Sequence, residues 1–308
     1  MRALLLTAIL LAQGPLLYAA QSSAAQFLNL GFGARALGMG EAYTAVSDDI
    51  SCVYYNHAGL AAGPEGRELS FSHAFHLQDT AVSQVGFMRR PYAAAITYFS
   101  AGELEGRDAS AALTGNFTAR DISAQVSRGF KLGPLDAGVS GKVISQKIKS
   151  SGATSFAADL GLLYRFKGTP YSVGASLVNF GTKVKFVDES FPLPMKFKAG
   201  AAALIAPAHM LLALDAEFPN DGPAALRAGA EYRGLEGIAL RLGYRTTASG
   251  QRDAVLGRGF GDSVSGVAGM YGFFAGAGFV YSGFTLDYAL LPYGELGTAH
   301  RFSVGMKF

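Results

Sequence analysis

The feature that most constrains this chain is an alternation. From about residue 66 to the last residue, apolar side chains recur at every second position, the period of a strand with two unlike faces. Near the C-terminus Phe302, Val304, Met306 and Phe308 alternate with Arg301, Ser303, Gly305 and Lys307. Met195, Phe197, Ala199 and Ala201 alternate with Lys196, Lys198 and Gly200, and Leu226, Ala228, Ala230 and Tyr232 with Arg227, Gly229 and Glu231. Ile238, Leu240, Leu242 and Tyr244 are separated by Arg241, Gly243 and Arg245. Asp215 and Glu217 interrupt Leu212 to Phe218, and Asp287 interrupts Phe284 to Leu290. No apolar run of about 18 residues follows the N-terminal segment, which excludes a bundle of membrane helices. Half of the residues are apolar and only 16% are charged, so the chain is not disordered. Its 40 glycines keep no three-residue period, which excludes collagen.

The start of the chain has the layout of an export leader. Met1-Arg2 precedes an apolar stretch to Leu17, and small residues from Ala19 to Ala25 offer cleavage points. Residues 1–25 are therefore expected to be a removed signal peptide. Basic residues exceed acidic ones by 26 − 23 = 3, too little for a field that attracts nucleic acid. The single cysteine, Cys52, can form no internal disulfide.

Alternation alone fits a soluble sandwich as well as a barrel, and export tips the choice. In an outer-membrane barrel the apolar face meets lipid and the polar face lines the lumen. Lys196, Lys198, Asp215, Glu217, Arg227, Glu231, Arg241, Arg245, Asp287 and Arg301 would then be lumen charges. The segments suit a tilted crossing of about 9–11 residues. Tight connections are expected near 90–91, 132–134, 168–170, 206–207, 234–237 and 282–283. Longer ones, near 101–114, 182–192, 249–265 and 291–297, all fall at the opposite parity, as barrels sort short periplasmic turns from long outer loops. The expected fold is all-β: a transmembrane antiparallel barrel of about fourteen strands over residues 66–308, with both ends periplasmic. Tyr92, Tyr98, Tyr164, Tyr171, Tyr232, Tyr244, Tyr281 and Tyr288 would form interfacial girdles. Phe302, Val304, Met306 and Phe308 would form the signal read by the barrel-assembly machinery. Lipid and that machinery are the first expected partners.

Residues 26–65 break the alternation. Glycines cluster there with Arg35, Glu41, Asp48, Asp49 and Asn56, so the segment is expected to be a hatch inside or beneath the barrel. Its glycines permit tight turns, and its acids are expected to pair with basic lumen side chains.

The stretch from Gly33 to Asp49, with Arg35, Gly38, Gly40, Glu41 and Asp48, and on through Asn56-His57-Ala58-Gly59-Leu60, resembles the PorV/PorQ family. Asp287-Tyr288-Ala289, Pro292 to Gly297 and His300 to Ser303 look like that family's closing hairpin. The family belongs to the FadL-like group of fourteen-stranded outer-membrane barrels. The resemblance implies a non-catalytic protein that docks secretion components and cargo C-terminal domains in type IX-like secretion. For the wider group it implies, alternatively, passive uptake of long-chain fatty acids or other hydrophobic molecules past a hatch. The group's Asn-Pro-Ala hatch motif matches Asn56 and Ala58, with His57 in place of proline.

Other motifs carry little. Gly31 to Ala36 spells G-x-G-x-x-A but follows no strand of a βαβ unit. Gly138 to Lys142 lacks the first glycine and the hydroxyl residue of a phosphate loop. Glu41, Asp48 and Asp49 are expected to be neutralised by arginines instead of holding a cation. No nucleophile has an evident base, and no cofactor is expected.

Overall fold

Residues 23–75, 80–108, 110–186, 188–246, 271–293 and 297–308 are described in a computed structural model. The expected leader falls almost wholly outside the described residues.

The alternating segments form the strands β1 (Arg67–Phe75), β2 (Ala81–Arg89), β3 (Tyr92–Arg107), β4 (Leu113–Leu132), β5 (Leu135–Ile148), β6 (Ser151–Arg165) and β7 (Tyr171–Gly181). After a short hairpin, β8 (Val184–Phe186) and β9 (Glu189–Phe191), come β10 (Lys196–Ile205), β11 (Met210–Pro219), β12 (Ala225–Leu235), β13 (Ile238–Arg245), β14 (Phe273–Tyr281), β15 (Phe284–Pro292) and β16 (Thr298–Lys307). All but β8 and β9 pair antiparallel with their neighbours, and β1 closes on β16, giving a closed barrel of 14 strands. Closure leaves no sheet edge unpaired. The closing seam is in register from Glu68 opposite Lys307 to Phe75 opposite His300.

The faces sort as the alternation requires. Leu242, pointing out, is 69% exposed, whereas Arg241 beside it is 5% exposed and Glu231 fully buried. A soluble core would show the reverse; an apolar exterior around a charged lumen is the membrane-barrel arrangement. Tyr92, Tyr164, Tyr171, Tyr232 and Tyr281 lie near the strand ends at one rim, with Arg128 stacked 5.3 Å over the Tyr92 ring. Tyr288 does not join a girdle. It sits mid-strand on β15, its hydroxyl 2.7 Å from Nδ1 of His300.

The connections from β2 to β3, β4 to β5, β6 to β7, β10 to β11, β12 to β13 and β14 to β15 are all tight and share one rim, where β1 begins and β16 ends. We call this the short-turn rim and the opposite one the long-loop rim. One expectation needs correction. The loop expected at 101–114 is mostly strand, because β3 and β4 stay paired to Arg107 opposite Leu113, with a register irregularity after Ser100. Beyond the apolar belt backbone pairing persists without an apolar face, so alternation no longer marks the strand. The connection from β5 to β6, at 149–150, is short despite its long-loop parity; Lys149 takes a left-handed conformation (φ 53°) to make it.

Residues 23–65 fill the lumen. They begin near the long-loop rim, where the Ala24 amide donates to the Pro192 carbonyl at 2.9 Å. From there they descend through two short helices, α1 (Ala34–Gly38) and α2 (Cys52–Tyr55), and a 3-10 turn over His57–Leu60. Phe32, Met39, Tyr43, Ile50, Val53, Tyr55 and Leu60 form their core.

Candidate functional site

The inner wall receives the hatch on glycines. A Cβ on Gly138 would lie 2.2 Å from the His57 carbonyl carbon, and one on Gly243 would lie 2.0 Å from the Gly40 amide nitrogen. Gly129, Gly161, Gly174 and Gly229 are closed in the same way by Ala61, Asn56, Thr44 and Met39. Gly129, Gly138 and Gly161 stand opposite one another across β4, β5 and β6, so the turn at 57–60 lies against a strip of bare backbone. Gly38 and Gly40 are the hatch's counterparts: Gly38 packs on Gly276, and Gly40 (φ 63°) on the β13 backbone. Gly305 faces inward too, but what lies against it is the Thr285 side chain and not the hatch.

Polar contacts lock this seat. Wall side chains reach hatch carbonyls: Ser172 Oγ donates to Ala45 O at 2.9 Å and Ser176 Oγ to Tyr55 O at 2.9 Å. Gln84 Nε2 donates to Gly31 O at 3.2 Å, and Arg301 bridges Gln84 Oε1 (3.1 Å) and Gly31 O (3.3 Å). The Asp215 carboxylate accepts from the Tyr43 and Thr44 amides at 3.0 and 2.9 Å. Such bonds satisfy hatch backbone that would otherwise be buried unpaired.

The ion pairs partly invert the expectation that hatch acids meet lumen bases. Glu41 does so, pairing with Arg227 at 3.1 Å. Asp49 instead binds the hatch's own Arg35 at 2.7 Å, whereas Asp48 pairs with both Arg35 (2.6 Å) and the wall's Arg233 (3.8 Å). Arg35 also grips Glu231 of the wall with two bonds, from Nε at 2.9 Å and Nη2 at 3.1 Å. Glu231 is thus a hub, accepting in addition from Arg233 Nε (2.7 Å) and Arg241 Nε (2.6 Å). Arg241 carries the network to Asp287 at 2.7 Å. Glu217 joins Lys196 (3.1 Å), Lys198 (3.6 Å) and Arg227 (3.0 Å) within the wall. Lys198 also faces the Tyr54 and Tyr55 rings at 5.3 and 5.2 Å. Arg245 lies over the Phe274 ring at 5.9 Å and forms no ion pair among the described residues.

A third group, around His57, was not legible from pattern alone. Asn56 caps the 57–60 turn: its Oδ1 accepts from the Ala58 amide at 3.1 Å, and its Nδ2 donates to Thr44 O and, across to the wall, Leu162 O. Asn56 is extended (φ −160°, ψ 106°) and His57 opens a helical turn, the backbone that an Asn-Pro step would take. Histidine at this position is therefore compatible with the chain path of an Asn-Pro step. It adds an imidazole, fully buried, with Nε2 3.3 Å from Asp159 Oδ2. Lys142 Nζ lies 2.8 Å from the same oxygen and 2.8 Å from Asn179 Oδ1. Burial pushes the His57 pKa down to about 4, with Lys142 adding to the fall and Asp159 opposing it. Asp159 and Asn179 mark a bulge between β6 and β7, where Ala158 faces Phe180 and Leu160 faces Leu177. Asn179 is left-handed (φ 61°). The bulge turns its amide onto Asp159 Oδ1 at 2.8 Å.

Above the hatch, toward the long-loop rim, lies a cavity of about 660 Å³. Phe27 and Leu30 of the hatch form one side, Phe99, Asp121, Gln146 and Ile148 of β3 to β5 another, and Phe186 and Phe191 of the β8–β9 hairpin the roof. Phe27 and Phe99 stack at 6.5 Å. Neither the hairpin, built from two three-residue strands, nor this cavity was foreseen from the sequence. The two nearby aromatics Phe186 and Phe191 were the available signal.

No family model matches the chain, and no curated protein matches it by sequence. Solved structures do match in shape. The toluene transporter TodX of Pseudomonas putida superposes with a TM-score of 0.58 over 90% of this chain and 96% of its own, at 11% identity. A Pseudomonas aeruginosa FadL homologue gives 0.54 over 90% of this chain and 98% of its own, also at 11% identity. The fold is that of the FadL-type barrels. Identity this low carries the architecture alone, and the PorV/PorQ resemblance gains no support from these matches.

Proposed function

We propose that this protein is a passive outer-membrane channel for hydrophobic small molecules, with residues 26–65 as its hatch. The observation that carries this reading is the aromatic-walled cavity directly above the hatch, a space of the size and character of a small-molecule site. TodX, described as a toluene transporter, is of the same architecture, and the apolar exterior suits an outer-membrane location. In this reading molecules enter at the long-loop rim, rest in the cavity, and leave when the hatch shifts or where the bulge between β6 and β7 interrupts the wall. Both barrel ends then face the periplasm, the leader is removed on export, and the assembly machinery reads the final strand. The reading is tested by uptake. A deletion strain should accumulate apolar aromatic or aliphatic compounds more slowly than its parent, and unchanged uptake of both would sink it.

The docking role implied by the PorV/PorQ resemblance is the second reading, and it rests on residues 33–60 and 287–303. Under it, secretion components or cargo C-terminal domains should co-purify with the barrel in mild detergent. Isolation of the barrel alone would count against it.

A further inference from the structure

The cavity above the hatch is largely apolar, and its wall carries one acidic group. Asp121 on β4 and Gln146 on β5 stand directly opposite each other, and both line the cavity. Gln146 is 8% exposed, and its side-chain oxygen is buried without a hydrogen-bond partner. Asp121 accepts a hydrogen bond from the Gln146 side chain and forms no ion pair among the described residues, and no described Lys, Arg or His lines the space. The other polar groups there are engaged or neutral: Ser23 donates to Asp221, and the Gln26 amide donates to Ser23 Oγ (2.7 Å) and Asp221 (3.0 Å). The walls therefore present two acceptors and one negative charge in an apolar surround. A buried acceptor without a donor is costly, and a second carboxylate beside Asp121 would meet like-charge repulsion.

We infer that the cavity selects apolar molecules carrying a hydroxyl or amino group, whose hydrogens meet Asp121 and Gln146, and rejects carboxylates such as fatty acids. The inference rests on the cavity being the binding site of the channel proposed above, and it names that channel's substrate class. The apolar body of the ligand lies among Phe27, Phe99, Phe186 and Phe191, and its donor points at the β4–β5 wall.

The test uses the full-length barrel in liposomes and displacement of fluorescent N-phenylnaphthylamine, with empty liposomes as the blank. Phenethylamine, phenethyl alcohol and phenylacetate share a ring and a two-carbon arm and differ in the polar end. The amine and the alcohol are expected to displace the probe at concentrations at least about ten-fold below phenylacetate at neutral pH. Asp121→Asn should remove most of the amine's advantage and bring phenylacetate within about three-fold of the alcohol. Heat-modifiable gel migration checks that the variant is folded. Phenylacetate competing as well as the amine, or a selectivity unchanged in Asp121→Asn, overturns the inference while leaving the channel standing. A cavity-filling Ile148→Trp variant separates the two: if it leaves probe binding unchanged, the cavity is not the site, and the channel reading and this inference fail together.

Discussion

At Gly243 the smallest possible side chain would collide with the hatch, because its Cβ would sit 2.0 Å from the Gly40 amide nitrogen. Gly243→Ala and Gly138→Ala are therefore expected to unseat the hatch at a cost of about 1–3 kcal/mol, read as faster proteolysis within residues 26–65. Gly141→Ala is the control. It lies on β5 one residue before Lys142, where a Cβ meets nothing within 4 Å, and it should behave as wild type. The His57 imidazole gives a pH dependence. Its pKa is held at about 4 in the seated hatch and returns toward about 6.5 when released. The released state therefore binds the extra proton. The seat is at full strength above about pH 6.5 and weakens as pH falls toward about 4, by at most roughly 3 kcal/mol. Hatch protection from protease, followed from neutral to acidic pH, should fall in wild type and stay flatter in His57→Gln. Legibility at this scale was uneven. Gly243 and Gly229 could be placed on the inward face because alternation fixes direction, but which glycines touch the hatch depends on its path, and period two says nothing of that. Asp159 and Lys142 escaped notice for a related reason. Their partners are His57 in the hatch and Asn179 across a bulge, both remote from local pattern.

Among the elements, α1 and the loop after it are held by one side chain more than by helix propensity, since five residues make a poor helix alone. Arg35 joins Asp48, Asp49 and Glu231. Its removal leaves three carboxylates with fewer cations in a largely buried site. Arg35→Ala is expected to cost about 3–5 kcal/mol of hatch docking. Arg35→Lys should recover only part, because an ammonium cannot make the paired bonds to Glu231. Release of the hatch would appear as larger single-channel conductance in planar bilayers. The barrel strands were legible because each has one face toward lipid and one toward charge. The β8–β9 hairpin was not, since three-residue strands are too short to show a period. The outer end of β3, residues 101–107, was also missed, because solvent bathes most of both its faces.

For the whole molecule, the closed ring makes the last strand matter. Phe308 exchanges both backbone hydrogen bonds with Arg67, each at 3.0 Å, beyond the end of β16. Its deletion is expected to lower the yield of heat-modifiable barrel in the outer membrane. A soluble, monodisperse product would contradict the membrane reading. Barrel closure was legible from the even rhythm of strands and the sorting of turns, whereas the amount of lumen taken up by the hatch was not.

The seam between β1 and β16 joins the two ends of the sheet, and the hatch precedes β1 in the chain. A wall that closed first would hold Glu231, Arg227 and Asp215 around a void, stripped of Arg35, Glu41 and the Tyr43 and Thr44 amides that satisfy them. The glycine strip would face that void with no side chains to fill it. An order in which residues 23–65 seat before the seam closes would avoid that cost, with the segment as a mandrel and the seam as the last stitch.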